Sequence, residues 1–225
     1  MSTTDSPHGL RAVAFDMDGL LASSEDVYIN VGTETLRRRG KPFEDELRHQ
    51  MMGLPGAKAV QVMIDWHALD DTVEPLLRES DQLFWQFAEQ GLDPMPGVAE
   101  LFDLLDAHAV PRCVVTSGYR EYAERILKLI GVRDRVAFVI TADDVEHGKP
   151  SPDPYLQAAD RLSVAPEQMM VLEDSANGCR AGIAAGAFTV AVPSPHTHEH
   201  DFTGVRLVAD TLRDPRIAEA LGLQR

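Results

Sequence analysis

The chain has 225 residues, 44% hydrophobic and 25% charged, with a net charge of −15 at pH 7. That composition suits an ordinary globular protein with a sizeable core. The acidic excess repels phosphate backbones and anionic bilayers, which argues against nucleic acid and membrane surfaces as partners. The opening MSTTDSPHGL carries no apolar run, and no stretch approaches the roughly 18 apolar residues of a membrane span. A cytoplasmic location is therefore expected. Cys113 and Cys179 are the only cysteines; lacking a metal-binding spacing, they read as reduced core thiols.

In chain order, the nearly continuous apolar run from Arg11 to Asp16 predicts a buried parallel strand, followed by a turn at Gly19. No strand pattern appears between Leu20 and Pro94. Helical patterns cover Val27–Arg39, Glu44–Met51, Ala57–Leu69 and Thr72–Gln90. The segment Asp93-Pro94-Met95-Pro96-Gly97 then reads as a linker. A helical domain of residues 20–95, inserted into a core made of residues 1–19 and 96–225, is the simplest account. The run Arg37-Arg38-Arg39-Gly40-Lys41 ends a helical pattern before a glycine, where cations favour the helix C-terminus, and it reads as structural.

Further strands are expected at Arg112–Thr116, Val136–Ile140, Met169–Leu172, Phe188–Val192 and Arg206–Val208. Helical patterns separate most of them: Tyr119–Ile130 before Gly131, Pro154–Leu162 behind Asp153, and Ser175–Ala185 before Gly186. Alternation of this kind predicts an α/β fold with a doubly wound parallel sheet.

In such sheets ligands bind beyond the carboxyl ends of the strands. Asp16, Thr116 and the pair Glu173-Asp174 occupy those ends, Asp18 follows Asp16 by two residues, and Lys149 lies in the loop HGKPSPDPY. Converging carboxylates repel one another unless a cation sits among them. Lys149 and a divalent ion would supply that charge, and an all-oxygen donor set favours Mg²⁺.

The ordered stretches DMDG, VVTSG, GKPSPDPY and VLEDSANG resemble the four motifs of the haloacid dehalogenase superfamily, in its phosphatase and phosphomutase branch. The likeness spans about Arg11 to Val208, and the helical insert looks like that branch's cap domain. It implies a Rossmann-like core and Mg²⁺-dependent hydrolysis of a small phosphorylated metabolite through an aspartyl-phosphate. It further implies that Asp16 is the nucleophile and Asp18 the general acid and base. Thr116 matches the hydroxyl that holds a phosphoryl oxygen, aided by the backbone N–H groups of Ser117 and Gly118 at a helix start. Lys149 matches the screening cation. Asp16, Asp174 and the backbone carbonyl of Asp18 match the Mg²⁺ ligands, with Glu173 a ligand or a carboxylate behind them.

Asp18 separates this chain from the metal-free dehalogenases of that superfamily, which lack the second aspartate. A β-phosphoglucomutase-like sugar mutase is the rival reading, and an inactive binding protein on the same scaffold the next. As aligned, Tyr28 and Gly56 stand where the mutase carries a histidine and an arginine, which favours hydrolysis. Glu25 and the loop Gly53-Leu54-Pro55-Gly56 with Lys58 are candidate contacts to the leaving group. Trp66 and Trp85 read as core of the helical insert. His196, His198 and His200 alternate in PHTHEH and suggest a metal site, but loop histidines are usually solvated. A monomer or small homo-oligomer is expected.

Overall fold

The computed structural model describes residues 6–51, 54 and 56–224. The described chain forms two compact units: residues 6–23 with 93–224, and Ser24–Leu92.

The larger unit is built on a six-stranded, all-parallel sheet in the order β3-β2-β1-β4-β5-β6. The strands are β1 (Ala12–Phe15), β2 (Arg112–Val115), β3 (Val139–Ile140), β4 (Met169–Glu173), β5 (Phe188–Ala191) and β6 (Leu207–Val208). Strands buried on both faces need apolar side chains throughout, which is why β1 reads as an unbroken run. Alternate residues then serve opposite faces. Ala14, Cys113, Val115, Met169 and Val171 join one cluster with Tyr155, Ala158 and Ala181. The ring of Phe15, which follows Ala14, lies 5.0 Å from that of Phe102. Cys113 and Cys179 are buried free thiols, and burial raises the pKa of both.

Five helices belong to this unit: α5 (Val98–Ala107), α6 (Arg120–Leu129), α7 (Asp153–Arg161), α8 (Ala176–Ala184) and α9 (Pro215–Ala220). Sequence reading omitted α5 and α9. The buried face of α5, Val98, Leu101, Phe102 and Leu105, has helical spacing, but the preceding prolines masked it as a linker. At six residues, α9 is too short to show a period. β3 is shorter than the expected Val136–Ile140, although Ala137 N–H already donates to Arg112 O at 2.9 Å and Val114 N–H to Phe138 O at 3.2 Å; a 3₁₀ turn at Arg133–Arg135 precedes it.

Asp153 occupies the first turn of α7 rather than capping it, and its N–H is 3.4 Å from Ser151 Oγ. Beyond β1, Gly19 takes φ +77°, a left-handed conformation that costs glycine nothing, and its N–H donates to Ala22 O at 2.9 Å. Leu20, Leu21 and Ala22 are buried, Met95 N–H donates to Leu21 O at 2.9 Å, and Ala22 bridges Pro94. These contacts tie residues 20–23 and 93–95 to the larger unit, so its limits differ from the expected 19/20 and 95/96.

The smaller unit holds α1 (Ser24–Arg37), α2 (Asp45–Met51), α3 (Gly56–His67) and α4 (Val73–Gly91). Its core is Leu36, Leu47, Val60, Met63, Ile64 and Leu76. The basic run is bound within this unit: Arg39 grips Asp71 through two bonds of 2.8 and 2.7 Å and reaches Glu79 at 2.8 Å, while Arg38 bonds Glu34 and Glu79 at 2.9 Å. Trp66 is 38% exposed and its indole donates to Glu44 at 2.8 Å; Trp85 stacks edge-on against Phe84. Hence Trp66 is not the core residue its type suggested. No helix among the described residues is long and apolar enough to cross a membrane.

Candidate active site

The sheet order makes β1 the central strand and places β2 and β4 on either side of it. Phe15 pairs with both Val114 and Leu172, so the chain leaves these three strands at one edge, as Asp16, Thr116 and Glu173-Asp174. Asp16 N–H donates to Leu172 O and Thr116 N–H to Ile140 O, each at 2.9 Å, which extends the ladder through the functional residues. Sequence separations of a hundred residues or so thus collapse into one register.

Lys149 links these strand ends. Its Nζ contacts Asp16 Oδ1 at 2.5 Å, Glu173 Oε1 at 2.6 Å and Val115 O at 2.8 Å, using all three ammonium protons. The side chain is 5% exposed, and the peptide bond between Lys149 and Pro150 is cis.

Glu173 is fully buried. Oε1 accepts from Lys149 and from Tyr155 Oη at 2.8 Å; Oε2 accepts from Ser175 N–H at 3.2 Å and Ser175 Oγ at 3.0 Å. These four donors match the roughly four lone-pair sites of a carboxylate. The carboxylate lies against Gly178, where a Cβ would come within 1.7 Å of Oε1. Only glycine fits there, and the N-cap of α8, Ser175 accepting from Gly178 N–H at 3.1 Å, closes the same turn.

Asp18 accepts from Tyr122 Oη at 2.8 Å on Oδ1, and Thr116 Oγ1 lies 3.5 Å from its Oδ2. Tyr122 sits in α6 above Gly118, where a Cβ would come within 2.9 Å of its ring. The expectation that Ser117 and Gly118 offer N–H groups at a helix start meets a different geometry. The helix α6 begins at Arg120 behind Tyr119, and Gly118 N–H donates to Thr116 Oγ1 at 3.0 Å. The Thr116 hydroxyl has captured the turn, as Ser and Thr side chains commonly do. Ser117 is exposed beside it.

Burial pushes the Asp16 carboxyl well above its usual range; the charge of Glu173 adds to this, Lys149 opposes it, and Asp174 adds again. For Lys149, burial lowers the pKa, but the charges of Asp16 and Glu173 outweigh it and the net shift is upward. Burial and then Glu173 raise the Tyr155 hydroxyl. Each of Asp16, Glu173 and Asp174 offers a carboxylate oxygen, all within 4.8 Å of one another. Three carboxylates beside a single lysine in a buried volume form an all-oxygen donor set that suits a hard divalent cation.

Glu25 and Lys58 lie in the helical unit, in the first turns of α1 and α3, and Lys58 is exposed. Gly53 lies outside the described residues. Sequence reading missed Tyr122, Tyr155 and Gly178. The glycine that follows EDSAN was the one available signal, for Gly178; the two tyrosines satisfy a helical period and gave none.

Residues 13–192 match the description haloacid dehalogenase-like hydrolase. The chain is 34% identical over 195 residues to a validoxylamine A 7'-phosphate phosphatase of Streptomyces hygroscopicus subsp. limoneus, covering 84% of this chain and 88% of that protein. It is 28% identical over 177 residues to a phosphorylated carbohydrates phosphatase of Thermotoga maritima, covering 79% and 82%. A solved haloacid dehalogenase family hydrolase of Deinococcus radiodurans R1, with bound phosphate and sodium, superposes with a TM-score of 0.82 at 27% identity, covering 96% of this chain and 99% of that one. The doubly wound sheet, the ordered motifs and these likenesses agree: the chain belongs to the haloacid dehalogenase-like hydrolases.

Proposed function

We propose that this protein is a Mg²⁺-dependent phosphatase of small, hydroxyl-rich phosphomonoesters, with Asp16 as nucleophile and Asp18 as general acid and base. The observation that carries the reading is the buried set of Asp16, Glu173 and Asp174 around Lys149 at the end of the central strand. Similarity to phosphatases of validoxylamine phosphate and phosphorylated carbohydrates supports a sugar, polyol or nucleoside phosphate as substrate. Two buried free thiols suit a reducing compartment, and we place the activity in the cytoplasm.

In the first half-reaction an oxygen of Asp16 attacks phosphorus and the ester P–O bond breaks, while Asp18 gives its proton to the departing alkoxide. In the second, water attacks the aspartyl-phosphate, Asp18 takes its proton, and the Asp16–phosphorus bond breaks to release phosphate. Lys149 anchors Asp16 through Oδ1, and Glu173 acts through Lys149 rather than on the substrate. Thr116 lies beside Asp18, where its hydroxyl would meet a phosphoryl oxygen.

Asp16, Asp174 and the carbonyl of Asp18 would hold Mg²⁺, which neutralises charge on the transferring group. In this reading Glu25, Lys58 and the Gly53 loop of the helical unit select the leaving group.

The test is release of inorganic phosphate from a panel of metabolite phosphates, with and without Mg²⁺. Asp16→Asn is expected to lower turnover by at least about 10³-fold with the fold retained. Undiminished turnover in that variant excludes the covalent route. Isomerisation of a hexose 1-phosphate without phosphate release would instead establish a mutase.

A further inference from the structure

In the segment Pro195–His200, His198 and His200 each use a ring nitrogen in a bond to the backbone. His198 Nδ1 pairs with Pro195 O at 2.8 Å, and Ala176 N–H reaches His200 Nδ1 at 3.4 Å. Beside these histidines stands a residue of different character. Thr197 is 7% exposed, and its Oγ1 lies 3.2 Å from Asp174 Oδ2. Asp174 is itself 3% exposed. The adjacency follows from the sheet: Glu173 pairs with Ala191 and Val192 N–H donates to Glu173 O at 2.7 Å, so the loops leaving β4 and β5 run side by side.

Proton counting fixes the direction of each bond. An ionised carboxylate only accepts, whereas a hydroxyl has one proton and two lone pairs. The single proton of Thr197 therefore goes to Asp174. Its lone pairs take Ser194 N–H at 2.9 Å and, at 3.1 Å, the hydroxyl of Ser194, which must then be the donor. Ser194 Oγ in turn accepts His196 N–H at 3.3 Å, and Ser194 is 3% exposed. Every proton in the chain His196 N–H, Ser194, Thr197, Asp174 has one possible direction. Such an arrangement holds a carboxylate at a set rotation about its Cβ–Cγ bond.

We infer that Thr197 is a positioning residue for a divalent cation: the one-way hydroxyl relay Ser194–Thr197 orients Asp174 for the metal. The inference rests on the proposed reading of Asp174 as a ligand. It also gives PHTHEH a role, through its buried threonine. Groups of this kind, behind the ligands themselves, typically change metal affinity by about 10- to 100-fold.

The test is calorimetric titration of Mg²⁺ into the metal-free full-length chain. Thr197→Val, of nearly the same shape, is expected to weaken Mg²⁺ binding about tenfold, and Thr197→Ser, which keeps the hydroxyl, to stay within about twofold of the parent. Saturating Mg²⁺ is expected to restore most of the turnover of the valine variant, giving a change in the Mg²⁺ requirement rather than in kcat. A purely structural hydroxyl would lower the melting temperature in EDTA and leave Mg²⁺ affinity alone. If valine is poorly accommodated, Thr197→Ala makes the same measurement against Thr197→Ser. Folded variants lacking the hydroxyl that bind Mg²⁺ like the parent overturn the relay. Unchanged Mg²⁺ affinity in Asp174→Asn, or no Mg²⁺ binding by the parent chain, overturns the ligand reading itself, and the relay falls with it.

Discussion

Tyr122 donates its phenolic proton to Asp18 Oδ1 at 2.8 Å, reaching across Gly118 from α6 to the carboxylate that follows the central strand. On the proposed reading of Asp18 as general acid, the carboxyl must be aimed at the departing oxygen, and this bond restrains one of its two oxygens. Tyr122→Phe is expected to lower kcat/KM for an alkyl phosphate about tenfold, part of the 10²–10⁴ that acid–base catalysis supplies. An aryl phosphate leaves without a proton, so p-nitrophenyl phosphate is expected to lose much less. Equal losses on both substrates would show that Tyr122 supports packing and not the acid.

Lys149 is the only cation in hydrogen-bond contact with Asp16 and Glu173 among the described residues. Lys149→Met leaves two buried carboxylates facing each other without their ammonium. The expected cost is about 3–5 kcal/mol in urea unfolding of the metal-free protein, with loss of turnover. A variant as stable as the parent would mean that these carboxylates are already protonated in the native state.

Metal-free stability is expected to pass through a maximum in mild acid. Asp16 has a native pKa raised above its ordinary 3.8, so the native state binds more protons than the unfolded one between that value and the raised one. Stability from this group is present below 3.8 and lost as pH rises through the native pKa. Asp71 and Glu79, held down chiefly by Arg39, and Asp106, held down chiefly by Arg112, have the opposite sign. Their contribution is present above their ordinary values of 3.8 to 4.5 and lost as pH falls through the depressed ones. Melting temperatures in EDTA, scanned across pH, check the curve; Asp16→Asn is expected to flatten its neutral side only.

The parallel sheet was legible because strands buried on both faces are mostly apolar: β1 is so throughout, β4 until its last residue Glu173, while Arg112 in β2 and Thr189 in β5 are the polar exceptions. Asp16, Thr116, Glu173 and Asp174 each could have been a helix cap; what exposed them was that all lie at the carboxyl ends of strands of one sheet. Tyr122 and Tyr155 stayed hidden for a complementary reason. Each lies inside a helical pattern where an aromatic ring satisfies the apolar period, and nothing in a period reveals where a phenolic oxygen points. Tyr155 is fully buried, so its hydroxyl needed a partner, and only the fold shows that the partner is Glu173. Thr197 was overshadowed by the histidines around it, whose metal-binding reputation drew attention from the buried hydroxyl.

The chain leaves the larger unit and returns to it at neighbouring points, with Ser23 N–H bonded to Asp93 O at 3.4 Å and Ala22 bridging Pro94. Lengthening a segment whose two ends meet costs little further closure entropy, about 0.6 kcal/mol per doubling. The helices between them are in that sense a replaceable cassette. Residues between 24 and 92 can change without disturbing the strand register that brings Asp16, Thr116 and Glu173 to one edge of the sheet.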